Sequence, residues 1–357
     1  LVMNQNSLLY DVFQTLCTSL LPNDEVQYCF ENINGSCYKT SWSSGIRITL
    51  YGVLGLLTIL TLGGNLMVII SIAYFKQLHT PANFLIASLA CADFCLGLTV
   101  LPFSSIRSIE TCWYFGETFC RFHSCLDASF CYSSIFHLCF ISIDRYVAVT
   151  DPLIYPIKFT VPVSGMFIAA AWIFSLTYSF SVVFSGANDK GIRELENALS
   201  CVGSCQLVFN KTWVVVSSLL YFIPFFTMIV LYHRIFAVAK RQARMIEIMN
   251  NNTQSFENYS DRVAKRERKA AKTLGIAVIA FLIFWSPYFI TVIIDAFLNF
   301  ITPPLVFDIM VWVTYSNSAI NPLIYSLFYP WFRKAMKVIV SCKIFRLDCS
   351  TMNLFTE

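Results

Sequence analysis

Charged residues are absent from five stretches of this chain, 48–75, 159–188, 212–233, 273–294 and 309–332. Each is at or above the ~20 residues that carry a helix across a bilayer. Two further stretches, 82–106 and 122–143, are each broken by one acid, Asp93 and Asp127. Inside lipid every backbone polar group must be satisfied within the segment, so all seven runs read as helices. The pattern predicts an all-α membrane protein, a seven-transmembrane helix bundle. Beyond the last run, "RKAMKVIVSCKIF" at 333–345 mixes basic and apolar positions as an amphipathic helix on the inner leaflet does, giving a short eighth helix. The expected organisation is an extracellular segment 1–46, a membrane domain 47–332, and an amphipathic helix with cytoplasmic tail, 333–357.

Composition agrees: 57% of residues are hydrophobic and 13% charged, with mean hydropathy +0.63, where soluble domains carry about 25% charged residues. With the N-terminus outside, the cytoplasmic segments hold 18 of the 25 Lys and Arg. The outer segments hold eleven acids against seven bases, so the positive-inside rule favours an extracellular N-terminus. A multi-pass protein of the plasma membrane is expected. The first residues show no charged n-region or small-residue cleavage site, so the first span is expected to act as signal anchor. The outer sequons are at Asn34 and Asn210; matches at Asn251 and Asn258 fall inside and are expected to stay unmodified. No internal repeat or separate soluble domain is visible.

Sidedness sorts the fourteen cysteines. Outside the cell a disulfide forms and persists, so Cys120, at the outer start of the third span, is expected to tether the second outer loop through Cys201 or Cys205. The loop cysteine left over has Cys29 or Cys37 within reach. Cys91, Cys95, Cys125, Cys131 and Cys139 lie in the membrane, where a free thiol packs as a small hydrophobe. Cys342 and Cys349, just past the last span, are candidates for palmitoylation.

One polar signature falls on each span: Gly64-Asn65, "SLACAD" ending at Asp93, "DRY" at 144–146, Trp172, Pro224 with Tyr232, "FWSP" at 284–287 and "NPLIY" at 321–325. In this order they resemble a class A G-protein-coupled receptor. "NSAINPLIYSLFYPWF" at 317–332, "CWYFG" at 112–116, "SIFHLCFISIDRY" at 134–146 and "RERKAAKTLGI" at 266–276 narrow the resemblance to the trace amine-associated receptors, over roughly residues 29–350. Most members of that family are olfactory receptors for volatile amines. The resemblance implies a receptor, not an enzyme, with a small amine ligand, a heterotrimeric G protein of the stimulatory or olfactory type, and a rise in cyclic AMP. It implies no nucleic-acid partner and no cofactor beyond an allosteric sodium ion.

Physics asks for a cation at the same place. A charge near the middle of the bilayer costs roughly 2.5–3.5 kcal/mol on insertion scales. At ~1.5 Å per residue, Asp127 lies about 10 Å inward from Cys120 and about 26 Å above Asp144, in the outer half of the membrane. Alkylammonium groups are protonated at neutral pH, and one would supply the charge-assisted partner Asp127 lacks. The family's amine anchor falls on Asp127, and family position puts the Tyr315 hydroxyl within its reach. Trp285, Tyr288 and Phe289 share a face of the sixth span and Trp312 lies one turn from Tyr315; with Ser217 and Cys131 they complete the expected ligand set. Val216 and Leu220 stand where catecholamine receptors have further serines, and no second acid is present there. A compact apolar monoamine fits best.

For signalling, the resemblance implies that Arg145 of Asp144-Arg145-Tyr146 is locked by Glu267, at the base of the sixth span, with Asn321 and Tyr325 in the seventh. Asp93, Asn65 and Ser318, with Asn321, resemble the sodium cluster of the class. The rival reading is a multi-span transporter or channel, but matched half-helices and internal repeats are missing. An opsin would need a lysine between 309 and 332, and no G-x-S-x-G or H-E-x-x-H enzyme signature occurs.

Overall fold

The computed structural model describes residues 27–192, 201–252, 259–298, 301–328, 330–341, 352 and 354; the side chains of 242–252, 259–274, 328 and 330 lie outside the description. The spans are Ser44–Tyr74, Pro81–Thr99 continuing as Leu101–Glu110, Glu117–Thr150, Val161–Phe184, Lys211–Asn252, Tyr259–Leu298 and Pro304–Phe328. Six of these helices are long and apolar enough to cross a membrane. The seventh is 25 residues long but carries Asn317, Ser318 and Asn321, all buried. An amphipathic helix, Pro330–Val340, follows. The expected divisions at 46/47 and 332/333 thus fall inside helices, each of which starts three residues earlier.

Local chemistry sets these ends. The Ser43 hydroxyl accepts from the Ile46 N–H and Thr80 from the Asn83 N–H, capping the first two spans. The second run breaks at Val100, just before Pro102. Proline has no N–H to give and its ring clashes with the carbonyl four residues back, so the helix restarts at an angle. Arg333 donates to the Ser326 and Leu327 carbonyls, satisfying the open C-terminal end of the seventh span.

The third span is the hub and packs against the second, fourth, fifth and sixth. Polarity is inverted relative to a soluble protein. Ile48, Ile59, Met166 and Ile283 point outward and are more than 60% exposed, while Asn65, Asp93, Ser134 and Asn321 are buried. The first and seventh spans meet closely because Gly64 has no side chain: a Cβ there would lie 2.8 Å from Pro322 Cβ. That approach lets the Asn65 amide reach the Ser318 carbonyl at 2.9 Å.

Three disulfides bind the outer end: Cys120–Cys205, Cys37–Cys201 and Cys29–Cys112. Of the two loop cysteines open to Cys120, Cys205 takes it. Cys29 goes to Cys112 rather than to the loop, and Cys37 takes Cys201. Residues 27–43 are thereby stitched to the first and second outer loops; a short bridge Ser36–Val202 joins them to the second, and Tyr28–Tyr38 closes the segment on itself. The turn at Gly203 needs glycine, having φ +100° and room for no more than a hydrogen beside Cys29.

Candidate functional site

Asp127 lies seven residues, about two turns, inward of the Cys120–Cys205 bond. It is half-buried. The Tyr315 hydroxyl, reaching across from the seventh span, donates to Asp127 Oδ2 at 2.6 Å, and the Cys131 thiol donates to Oδ1 at 3.5 Å. Among the described residues Asp127 has no ion-pair partner within 4 Å. A carboxylate that accepts from two neutral donors still has lone pairs to offer.

Aromatic rings surround it. Tyr315 and Trp312 meet edge-on at 5.3 Å, and the Trp312 indole donates to Ser108. Tyr288 packs against both this group and the main core, and lies close enough to feel the Asp127 charge. Trp285 lies below, buried, 6.0 Å from Phe289. Phe289 is stacked on Tyr221 at 4.1 Å, so its face is already taken. Ser217 has a protein partner as well: its hydroxyl is 2.9 Å from that of Tyr178, in a polar pair between the fourth and fifth spans. The sequence offered no sign of this, because the partner lies 39 residues away.

Deeper in, Asp93 is buried and accepts from Ser318 at 2.7 Å, Asn321 at 2.9 Å and Ser134 at 3.3 Å. Asn65 does not reach Asp93; it joins the cluster through the Ser318 carbonyl. Ser134 was missing from the expected set. The carboxamide oxygens of Asn65, Asn317 and Asn321 are buried without a protein donor. Such atoms are costly unless a cation or ordered water meets them. One carboxylate with hydroxyl and amide oxygens is a hard, singly charged donor set, which suits sodium.

At the other end of the third span Arg145 donates through Nε and Nη2 to Asp144, both residues being buried. Tyr155, on the short helix Tyr155–Lys158, completes a triangle: its hydroxyl accepts from Arg145 at 2.9 Å and donates to Asp144 at 3.0 Å. The Arg145 guanidinium also lies 5.7 Å from the centre of the Tyr155 ring. The expected Arg145 partner Glu267 has its side chain outside the described residues, as do Cys342 and Cys349. Tyr325 is buried in the core and Tyr146 packs on its edge.

Asn210, in the second expected sequon, also has a structural role. Asn210 caps the fifth span: its Oδ1 accepts from the Trp213 N–H, and its amide donates to the Ala187 and Lys190 carbonyls. A glycan would replace one of those amide hydrogens and leave the Oδ1 cap in place. Asn34 is exposed on a turn.

A bundle of this shape, with an inward carboxylate at its outer end and a buried arginine at its inner end, has the form of a ligand-operated membrane receptor. The family model "7 transmembrane receptor (rhodopsin family)" matches residues 64–325. The chain is 62% identical over 337 residues to trace amine-associated receptor 9 of Mus musculus, spanning 94% of this chain and 97% of that protein. It is 59% identical over 335 residues to the Homo sapiens receptor of that name, covering 94% and 96%. To trace amine-associated receptor 7a of Rattus norvegicus it is 58% identical over 345 residues, 96% of each chain. The chain belongs to the rhodopsin-type seven-transmembrane receptors and, within them, to the trace amine-associated receptors. It is a multi-pass membrane receptor and not an enzyme.

Proposed function

We propose that this receptor stands in the plasma membrane with its N-terminus outside and binds small protonated monoamines. The ammonium pairs with Asp127, and Tyr315 holds that carboxylate in place. Binding signals through a stimulatory heterotrimeric G protein to raise cyclic AMP, in olfaction. The observation that carries this reading is the Asp127 carboxylate, donated to by Tyr315 at 2.6 Å yet lacking a cation among the described residues. The relatives' names, which refer to trace amines, point the same way.

Affinity then divides in two. A charge-assisted hydrogen bond nets about 1.5–3 kcal/mol, whereas micromolar binding needs about 8 kcal/mol. The rest comes from burying the ligand's hydrocarbon part and from cation–π contact with Tyr315, Tyr288 and Trp312. Ser217, tied to Tyr178, offers little to a ring hydroxyl, which favours apolar amines. A sodium ion held by Asp93, Ser134 and Ser318, with Asn321 behind them, would stabilise the inactive arrangement. Asn34 and Asn210 are the glycosylation sites of this reading.

Asp127→Asn tests the reading, because it keeps the side-chain shape and removes the charge. The variant is expected to reach the surface as well as wild type or better. Its potency for every amine agonist should fall by about 10–100-fold, the factor corresponding to ~1.5–3 kcal/mol. Cyclic-AMP dose–response and surface labelling are measured on the same cells. A variant at the surface with unchanged potency would falsify the amine mechanism.

A further inference from the structure

Leu354 is 2% exposed, although it follows the amphipathic helix at the far cytoplasmic end of the sequence. Its backbone N–H donates to Gln77 Oε1 at 3.1 Å, a partner 277 residues away in the chain. Gln77 belongs to the single turn Lys76–Leu78 that links the first two spans, where its side chain is otherwise exposed. Leu354 lies in the same buried cluster as Phe75 and Leu78 from that link, and Trp331, Phe332, Ala335, Val338 and Ile339 from the amphipathic helix. Met352 packs against this cluster.

The amphipathic helix changes character in this setting. Its apolar face was expected to lie on the inner leaflet, but Trp331, Phe332 and Ala335 are buried in protein, while Arg333, Lys337 and Val340 remain exposed. We infer that the seam between the Lys76–Leu78 turn and the amphipathic helix is a docking site for the receptor's own tail. Met352 and Leu354 act as a strap across it and pin that helix to the bundle. Gln77 reads the strap's backbone, offering its carbonyl as a neighbouring strand would, and the leucine fills the seam. Neither feature depends on the amine, so the strap stands or falls separately from the ligand site.

Hydrogen exchange followed by mass spectrometry on the full-length receptor in lipid nanodiscs tests the strap. A synthetic peptide of residues 345–357 supplies the undocked rate. Backbone amides around Leu354 should exchange at least ~10-fold more slowly in the receptor than in the peptide, about one decade of protection. Leu354→Asp should abolish that protection and speed exchange across 331–341; Gln77→Ala should reduce it. The strap is overturned if receptor and peptide exchange alike, or if neither variant changes the tail. Loss of tail protection with 331–341 unchanged overturns the pinning.

Discussion

Gly64 shows how one missing side chain sets the spacing of two spans. A Cβ at this position would meet Pro322 Cβ at 2.8 Å and Cγ at 2.9 Å, and the ring of a proline cannot turn aside. Gly64→Ala therefore forces the first and seventh spans apart and strains the Asn65–Ser318 bond, an overpacking cost of about 1–3 kcal/mol. The purified variant should melt several degrees below wild type in a thermal-shift measurement; an equal or higher midpoint would contradict the close approach. At this scale the chain was partly readable. Asp127 stood out because a lone acid in an apolar run has few inexpensive roles, and Asp93 for the same reason. The protein partners of Ser217 and Asn210 were not legible, because a short polar side chain reveals nothing of its partner. Tyr178 claims the first, and the cap of the fifth span claims the second.

Among the elements, the four-residue helix Tyr155–Lys158 has the largest effect for its size, since it brings the Tyr155 hydroxyl between Arg145 and Asp144. Tyr155→Phe keeps the ring over the guanidinium and removes both hydrogen bonds. Bonds to charged groups net about 1.5–3 kcal/mol, so Arg145 is held less firmly and ligand-free signalling should rise severalfold. Basal cyclic AMP at matched surface expression is the measurement, and a wild-type level would show that the triangle does not restrain the receptor. The seven spans were legible because absence of charge over ~20 residues is a strong constraint. Their ends were less so. The uncharged run 309–332 hid the start of a new helix at Pro330, since Trp331 and Phe332 are apolar for its own buried face rather than for lipid.

Across the whole molecule, the outer disulfides decide whether the bundle's mouth has a fixed shape. Cys120–Cys205 is buried with Trp113, beside Phe103 and Phe119, at the top of the hub helix. In the chain-entropy model a bridge closing 85 residues constrains the unfolded chain by roughly 4–5 kcal/mol. Cys120→Ser should therefore lose surface expression and amine response together, read by surface labelling and dose–response. Normal potency would remove the tether from the account. The sequence narrowed which cysteines could pair but not their pairing, since six cysteines allow fifteen connectivities. Cys112 was missed as a partner and Cys37 stood only as an alternative to Cys29, because each is near several partners in sequence and only the folded surface distinguishes them.

The same connectivity bears on how the receptor is made. Synthesis proceeds from the N-terminus, so Cys29, Cys37, Cys112 and Cys120 are translated before Cys201 and Cys205 exist. At ~5–20 residues per second the gap between Cys120 and Cys201 lasts about 4–16 s. During it the shortest loops open to the waiting thiols are Cys29 with Cys37 and Cys112 with Cys120, each eight residues apart. Neither is a pair of the finished protein. Short loops close at the least entropic cost, so these are the premature bridges that closure entropy favours. Thiolate attack must reopen them before the late cysteines are seated. Exchange of this kind takes seconds to hours, depending on oxidant and isomerase. The yield of working receptor is thus governed by the thiol chemistry of the compartment that assembles it, before any ligand arrives.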